Sequence, residues 1–136
     1  MDIQESKNEL RTYTKIYNEI QAKRERYAEL KRELYALKLH RSGEKVICSP
    51  VKSGIETLID KMAALETSIS QGIYELNAEA ERISAKINSL DYPYCEVLKR
   101  RYIKLERFEK IAVEMNYSWR QTMRIHRVGI KKYSEI

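Results

Sequence analysis

The chain has 136 residues, enough for one ordinary domain or two small units and too few for a doubly wound sheet with a separate substrate domain. Charged residues make up 34% and hydrophobic residues 43%, and only four Gly and two Pro interrupt them, a composition of long helices rather than strands and turns. The formal charge of +6 is unevenly placed, with 11 basic and 6 acidic side chains in residues 91–136 against 15 and 14 in residues 1–90.

A basic block on a nearly neutral carrier suits a polyanionic partner. Nucleic acid fits better than a membrane surface, because no strongly apolar helix face accompanies the charge. There is no apolar run of about 18 residues to span a bilayer. The opening MDIQESKNEL lacks the basic and apolar regions of a secretory leader, so a cytoplasmic location is expected. Cys48 and Cys95 are far apart, and neither they nor His40 and His126 stand at metal-ligand spacing. Reduced thiols and no bound metal or cofactor are the expectation.

Residues 2–39 contain neither Gly nor Pro, and Ile3, Leu10, Tyr13, Tyr17, Ile20, Tyr27, Leu30, Leu34 and Leu37 are spaced by sums of three and four. That pattern predicts one helix roughly 55 Å long, with Arg24 and Lys31 leaning out of the seam. A segment containing Gly, Ser and Pro, residues 41–53, separates it from a second stripe: Ile55, Leu58, Met62, Leu65, Ile69, Ile73, Leu76, Ala80, Ile83, Ile87 and Leu90. Steps of three and four alternate in each half as in a coiled coil, but two fours meet at Ile69, with Gly72 where the unbroken heptad would place a knob. This stutter should relax the supercoil locally.

Two helices of nearly equal length and one reversal predict an antiparallel hairpin over residues 1–90. Such a seam buries little surface, and Leu30, Leu37 and Ile59 are expected on an exposed face, so self-association, most simply as a homodimer, is expected. The linker holds Val46, Ile47, Cys48 and Val51, which leaves both a flexible reversal and a docking element open.

After Leu90 the pattern changes, and residues 91–136 form a second unit of three short helices. Asp91 is placed to cap a helix over about 93–104 with Pro93 near its first position, turning Val97, Leu98 and Tyr102 inward. A helix from Phe108 to Met115 should bury Phe108, Ile111, Ala112 and Met115. Asn116 tolerates the left-handed conformation that ends a helix, and Ser118 with Gln121 forms a capping box that starts the next. Helix, three-residue turn, helix is the helix-turn-helix pattern, with Tyr117, Thr122, Ile125, Gly129, Ile130 and Tyr133 as the buried side of the last helix.

The opposite side carries Trp119, Arg120, Met123, Arg124, Arg127 and Lys131. The planar arginine fork matches the O6 and N7 of guanine, and the first residues of a recognition helix reach base edges. Trp119, Arg120, Gln121, Met123 and Arg124 are therefore the candidate base readers. Lys99, Arg100, Arg101, Lys104, Arg127, Lys131 and Lys132 are the candidate phosphate contacts. Gln121 has two possible tasks, since a side chain that returns to cap Ser118 cannot also read a base; Trp119 could instead pack on a neighbouring helix. His40 suits the C-terminal end of the first helix, and His126 has a structural or exposed place. Glu75, Glu79 and Arg82 read as surface pairs. With no phosphate loop, no nucleophile elbow and no pocket for paired carboxylates, no catalytic residue is assigned and an enzyme is not expected.

The stretches YCEVLKRRYI (Tyr94 to Ile103) and FEKIAVEMNYSWRQTMRIHRVGIKKY (Phe108 to Tyr133) resemble region 4 of bacterial sigma factors. They are closer still to the small phage regulators of late transcription of the ArpU and RinA type. The resemblance rests on Val97, Leu98, Arg101, Tyr102, Ile103, Ile111, Ala112, Tyr117 and Ser118. EKVICSPV (Glu44 to Val51) is also similar to a Val-x-x-Ser-Pro segment of uncharacterised members from phages of Gram-positive hosts. The resemblance implies a phage or prophage protein that binds double-stranded DNA as a transcriptional regulator and contacts host RNA polymerase. Departures are Leu105 to Arg107 where Gly or a small polar residue is usual, Asn116 where Gly is common, and Gly129 where Ala is favoured. A reading of another class is a phage assembly or DNA-packaging adaptor, like a small terminase subunit, whose coiled coil builds rings; a third keeps the sigma-like unit but aims its Trp119 face at host RNA polymerase instead of DNA.

Overall fold

The computed structural model describes residues 1–41 and 54–136. The linker expectations, Cys48 and the 44–51 segment included, lie outside the described residues, as does the side chain of His40. The fold is all-α: two long antiparallel helices, α1 (Ile3–Arg41) and α2 (Gly54–Asn88), precede three short ones, α3 (Tyr94–Leu98), α4 (Phe108–Met115) and α5 (Trp119–Ser134). The end of α3 continues as a π-helical turn over Lys99–Ile103.

Compactness divides the chain into a unit of residues 1–17 with 75–136 and a unit of residues 18–74. The chain turns at Leu90, where the sequence pattern changes, but the start of α1 and the end of α2 belong with the three short helices. The reason lies in the apolar stripe. Leu10, Ile83 and Ile87 share one buried cluster with Leu98, Tyr102, Ile130 and Tyr133, so the short helices cover the seam that a two-helix hairpin would leave open. Beside that cluster, Glu9 pairs with Arg82 and with Lys86, 3.2 Å away. Burial alone would raise the Glu9 carboxyl, but the two cations outweigh it and hold its pKa below the usual carboxylate value. Glu79 and Arg82 form the expected surface pair at 2.6 Å.

In the unit of residues 18–74, Ile20, Leu30 and Leu58 form the buried side, and the Tyr27 hydroxyl donates to Glu66 at 2.6 Å across the seam. Leu30 is 2% exposed, which corrects the expectation that it faces out: it follows Tyr27 by three residues on the same helix face. Leu37 and Ile59 are exposed as expected, together with Tyr35 and Leu39. Gly72 has a packing reason, since an added Cβ would stand 2.9 Å from Cγ1 of Ile20. The seam closes over Ile20 because position 72 has no side chain.

Candidate nucleic-acid interface

The start of α3 differs from the capped helix expected. Asp91 contributes its backbone carbonyl, which accepts from the Cys95 N–H at 3.1 Å. Pro93, preceded by a cis peptide bond, stands at the N-cap without a side-chain cap. Val97, Leu98 and Tyr102 are buried as predicted. The segment after the π-helical turn is a tight reversal: Leu105 has φ 56°, and the Glu106 N–H donates to the Arg100 carbonyl at 2.9 Å.

The turn between α4 and α5 has the predicted chemistry. Asn116 adopts the left-handed conformation (φ 59°, ψ 38°). The Tyr117 N–H donates back to the Ala112 carbonyl at 2.9 Å and the Asn116 N–H to the Val113 carbonyl at 3.3 Å. This Schellman arrangement satisfies carbonyls that the end of α4 would otherwise leave open. Ser118 then caps α5, its Oγ accepting from the Gln121 N–H at 3.1 Å, and the Thr122 hydroxyl donates to the Ser118 carbonyl at 2.9 Å. The return bond from the Gln121 side chain to the Ser118 N–H is not formed, which leaves the Gln121 amide outside the cap. Val97, Ile111 and Ile125 form the core beneath this turn.

On the outer side of α5, Arg120, Arg124, Arg127 and Lys131 are all exposed. Spaced by four, three and four, they make one stripe on a helix without an acidic residue between Trp119 and Ser134. Among the described residues none of the four is paired with a carboxylate. Trp119 is 51% exposed and meets Phe108 in a T-shaped contact, ring centres 6.2 Å apart. It therefore packs on α4 and still presents a face to solvent. Met123 and Gln121 are half-buried beside the stripe.

The other candidate phosphate contacts divide into two groups. Lys99 and Lys104 are exposed, and Lys132 is half-buried with its ammonium 4.6 Å from the centre of the Tyr94 ring. Arg100 is committed elsewhere: it pairs with Glu96 at 2.9 Å, with Glu106 at 3.3 Å and with Glu114. Three carboxylates cancel its charge, so its work is to tie α3, the following reversal and α4 together. Arg101 donates to the Glu106 carbonyl at 3.1 Å and stacks on Phe108, 4.3 Å from its centre. Spacing within the helix offers only Glu96, four residues before Arg100; Glu106, Glu114 and Phe108 come from further along the chain.

His126 is structural. Its Nε2 lies 2.7 Å from the Tyr102 hydroxyl, and its ring meets Phe108 edge to face at 4.8 Å. Burial, then the positive charges of Arg101, Lys7 and Arg11, lower its pKa to about 4, so it is neutral at pH 7. Among the described residues, no three His, Cys, Asp or Glu side chains gather as a metal site would require, and no helix is long and apolar enough to cross a membrane.

Sequence reasoning missed a cleft of about 370 Å³ beside α5. Met123, Arg127, Val128 and Lys131 line it from α5, and Ile3 and Lys7 from α1. The spacing of Ile3 and Lys7 puts them on one face, but no local signal ties that face to a helix more than 110 residues further on. Comparison of the chain with protein families, curated proteins and solved structures yields no match.

Proposed function

We propose that the chain is a sequence-specific double-stranded DNA-binding protein, a transcriptional regulator of phage or prophage type that acts in the bacterial cytoplasm as a homodimer. The observation that carries this reading is the exposed, unpaired stripe Arg120, Arg124, Arg127 and Lys131 on a helix opened by Ser118 after a left-handed Asn116. A helix that begins at a tight turn and presents arginines from its first turns has the form of a major-groove reader. Arg120 and Arg124, with Trp119, Gln121 and Met123 beside them, read base edges; Arg127, Lys131, Lys99, Lys104 and Lys132 hold phosphates. Arg100 and Arg101 support the fold of the site.

The exposed Tyr35, Leu37, Leu39 and Ile59 offer apolar area for a second copy, and two recognition helices on one duplex raise the effective concentration of each. The resemblance to phage late-transcription regulators adds host RNA polymerase as a second partner. Binding of duplex libraries by the full chain, combined with its mass in solution, tests the reading. Sequence preference in a dimer supports regulation, whereas indifferent binding by larger rings would replace it with a packaging role. No duplex affinity would point to a protein partner for the Trp119 face.

A further inference from the structure

The first turns of α1 carry charge to which the duplex-binding surface described above assigns no task. Glu9 is turned to α2, where Arg82 and Lys86 neutralise it. Asp2 is occupied in capping, accepting from the N–H groups of Gln4 and Glu5, and Ser6 and Leu10 are buried. At about 100° per residue, Lys7 and Arg11 flank the stripe of Ile3 and Leu10, on the side away from Glu9. Ile3 and Lys7 line the cleft with Arg127 and Lys131, so that side is the one directed at α5.

Lys7 is half-buried and Arg11 exposed, and among the described residues neither has a carboxylate partner. Both cations are close enough to act on the His126 ring. The free protein thus gathers Lys7, Arg127 and Lys131 around one cleft with no acid among its lining residues, and Arg11 follows Lys7 by one turn of α1. Like charges brought together in this way stabilise nothing by themselves; they are a field for an anion. On each helix the pair is four residues apart, about 6 Å along the axis, against about 3.4 Å of rise per phosphate on one strand. Each pair spans about two phosphates.

We infer that Lys7 and Arg11 are a second row of phosphate contacts, so that the duplex-binding surface is built jointly by the start of α1 and by α5. This rests on the DNA reading of α5 and extends it to a helix whose sequence pattern suggests self-association alone. It also makes the packing of residues 1–17 on the short helices a condition for full affinity.

The test measures the salt dependence of duplex binding for the full chain and for Lys7→Gln, Arg11→Gln and the double variant. Each lost phosphate contact lowers the slope of log K against log salt by about 0.9, so the singles should lose about 0.9 and the double about 1.8, with the selected sequence motif unchanged. The charge-preserving Lys7→Arg with Arg11→Lys should keep the native slope. Native slopes in all the Gln variants would overturn the inference while leaving DNA binding intact. An equal loss from Arg32→Gln with Lys38→Gln would overturn it too, because only total charge would then matter. No duplex binding by the native chain would remove the DNA reading and this inference with it. Trp119 fluorescence reports that each variant is folded.

Discussion

The Tyr102 hydroxyl lies 2.7 Å from Nε2 of His126, which joins the π-helical turn to the middle of α5. The stability of the unit should therefore depend on pH. The folded His126 has a pKa of about 4 and the unfolded one about 6.5. Between these values the unfolded chain binds more protons, so stability falls as pH drops through the window, and the loss is complete below about 4. Glu9, with its lowered pKa, acts in the same direction as acid protonates it. His126→Gln, which cannot titrate, should flatten the decline between pH 6.5 and 4 by up to one proton. Urea midpoints followed by Trp119 fluorescence check this, and equal slopes for the two proteins would contradict it.

Two helical glycines should respond oppositely to the same substitution. An added Cβ at Gly129 would stand 3.5 Å from Cγ of Leu98 and 3.6 Å from Cβ of Tyr94, ordinary contacts, so Gly129→Ala should gain about 0.5–1 kcal/mol of helix propensity. At Gly72 the added Cβ meets Cγ1 of the buried Ile20 at 2.9 Å, and overpacking should cost about 1–3 kcal/mol. Thermal melting by circular dichroism separates the two, and shifts of the same sign would contradict the packing described.

The turn itself should be sensitive at its cap and tolerant at its left-handed residue. Ser118→Ala removes the acceptor for the Gln121 N–H and should cost about 1 kcal/mol. Asn116→Gly should be neutral or slightly stabilising, whereas Asn116→Val should lose about 1–2 kcal/mol, because a β-branched side chain clashes in that conformation. Denaturant midpoints check the series, and a harmless Asn116→Val would contradict the assigned backbone.

Local signals carried much of the molecule. The long helices, the Asn116 and Ser118 turn and the buried face of α5 were legible because spacing and capping act within a few residues. Arg101 and the Lys7 cleft were not, because their partners arrive from other elements; for Arg100 the spacing to Glu96 was readable, but Glu106 and Glu114 were not. Asp91 shows the converse: a residue type suited to capping was present, but its backbone carbonyl took the contact. Leu30, expected outside, is buried, as its place three residues after Tyr27 in the apolar stripe of α1 requires.

Arg100 and Lys99 are adjacent and basic, yet they should behave differently. Arg100→Met removes the cation among Glu96, Glu106 and Glu114 and should lower the melting temperature, by an amount limited by solvent screening of these partly exposed pairs. It should leave the salt slope of duplex binding unchanged. Lys99→Ala should do the reverse, sparing stability and lowering the slope by about 0.9. Melting curves and salt titrations on both variants decide it, and a lower slope for Arg100→Met would return that residue to the phosphate contacts.

The central claim is that α5 reads DNA sequence. Its most direct test is a selection from a random duplex library at roughly physiological salt, sequenced beside the same selection with Arg120 and Arg124 both changed to Ala. Each good arginine–guanine pair contributes about 1–3 kcal/mol of discrimination, so a motif should emerge with the native chain and vanish with the double variant. The same motif from both proteins, or none from the native chain, would contradict the claim.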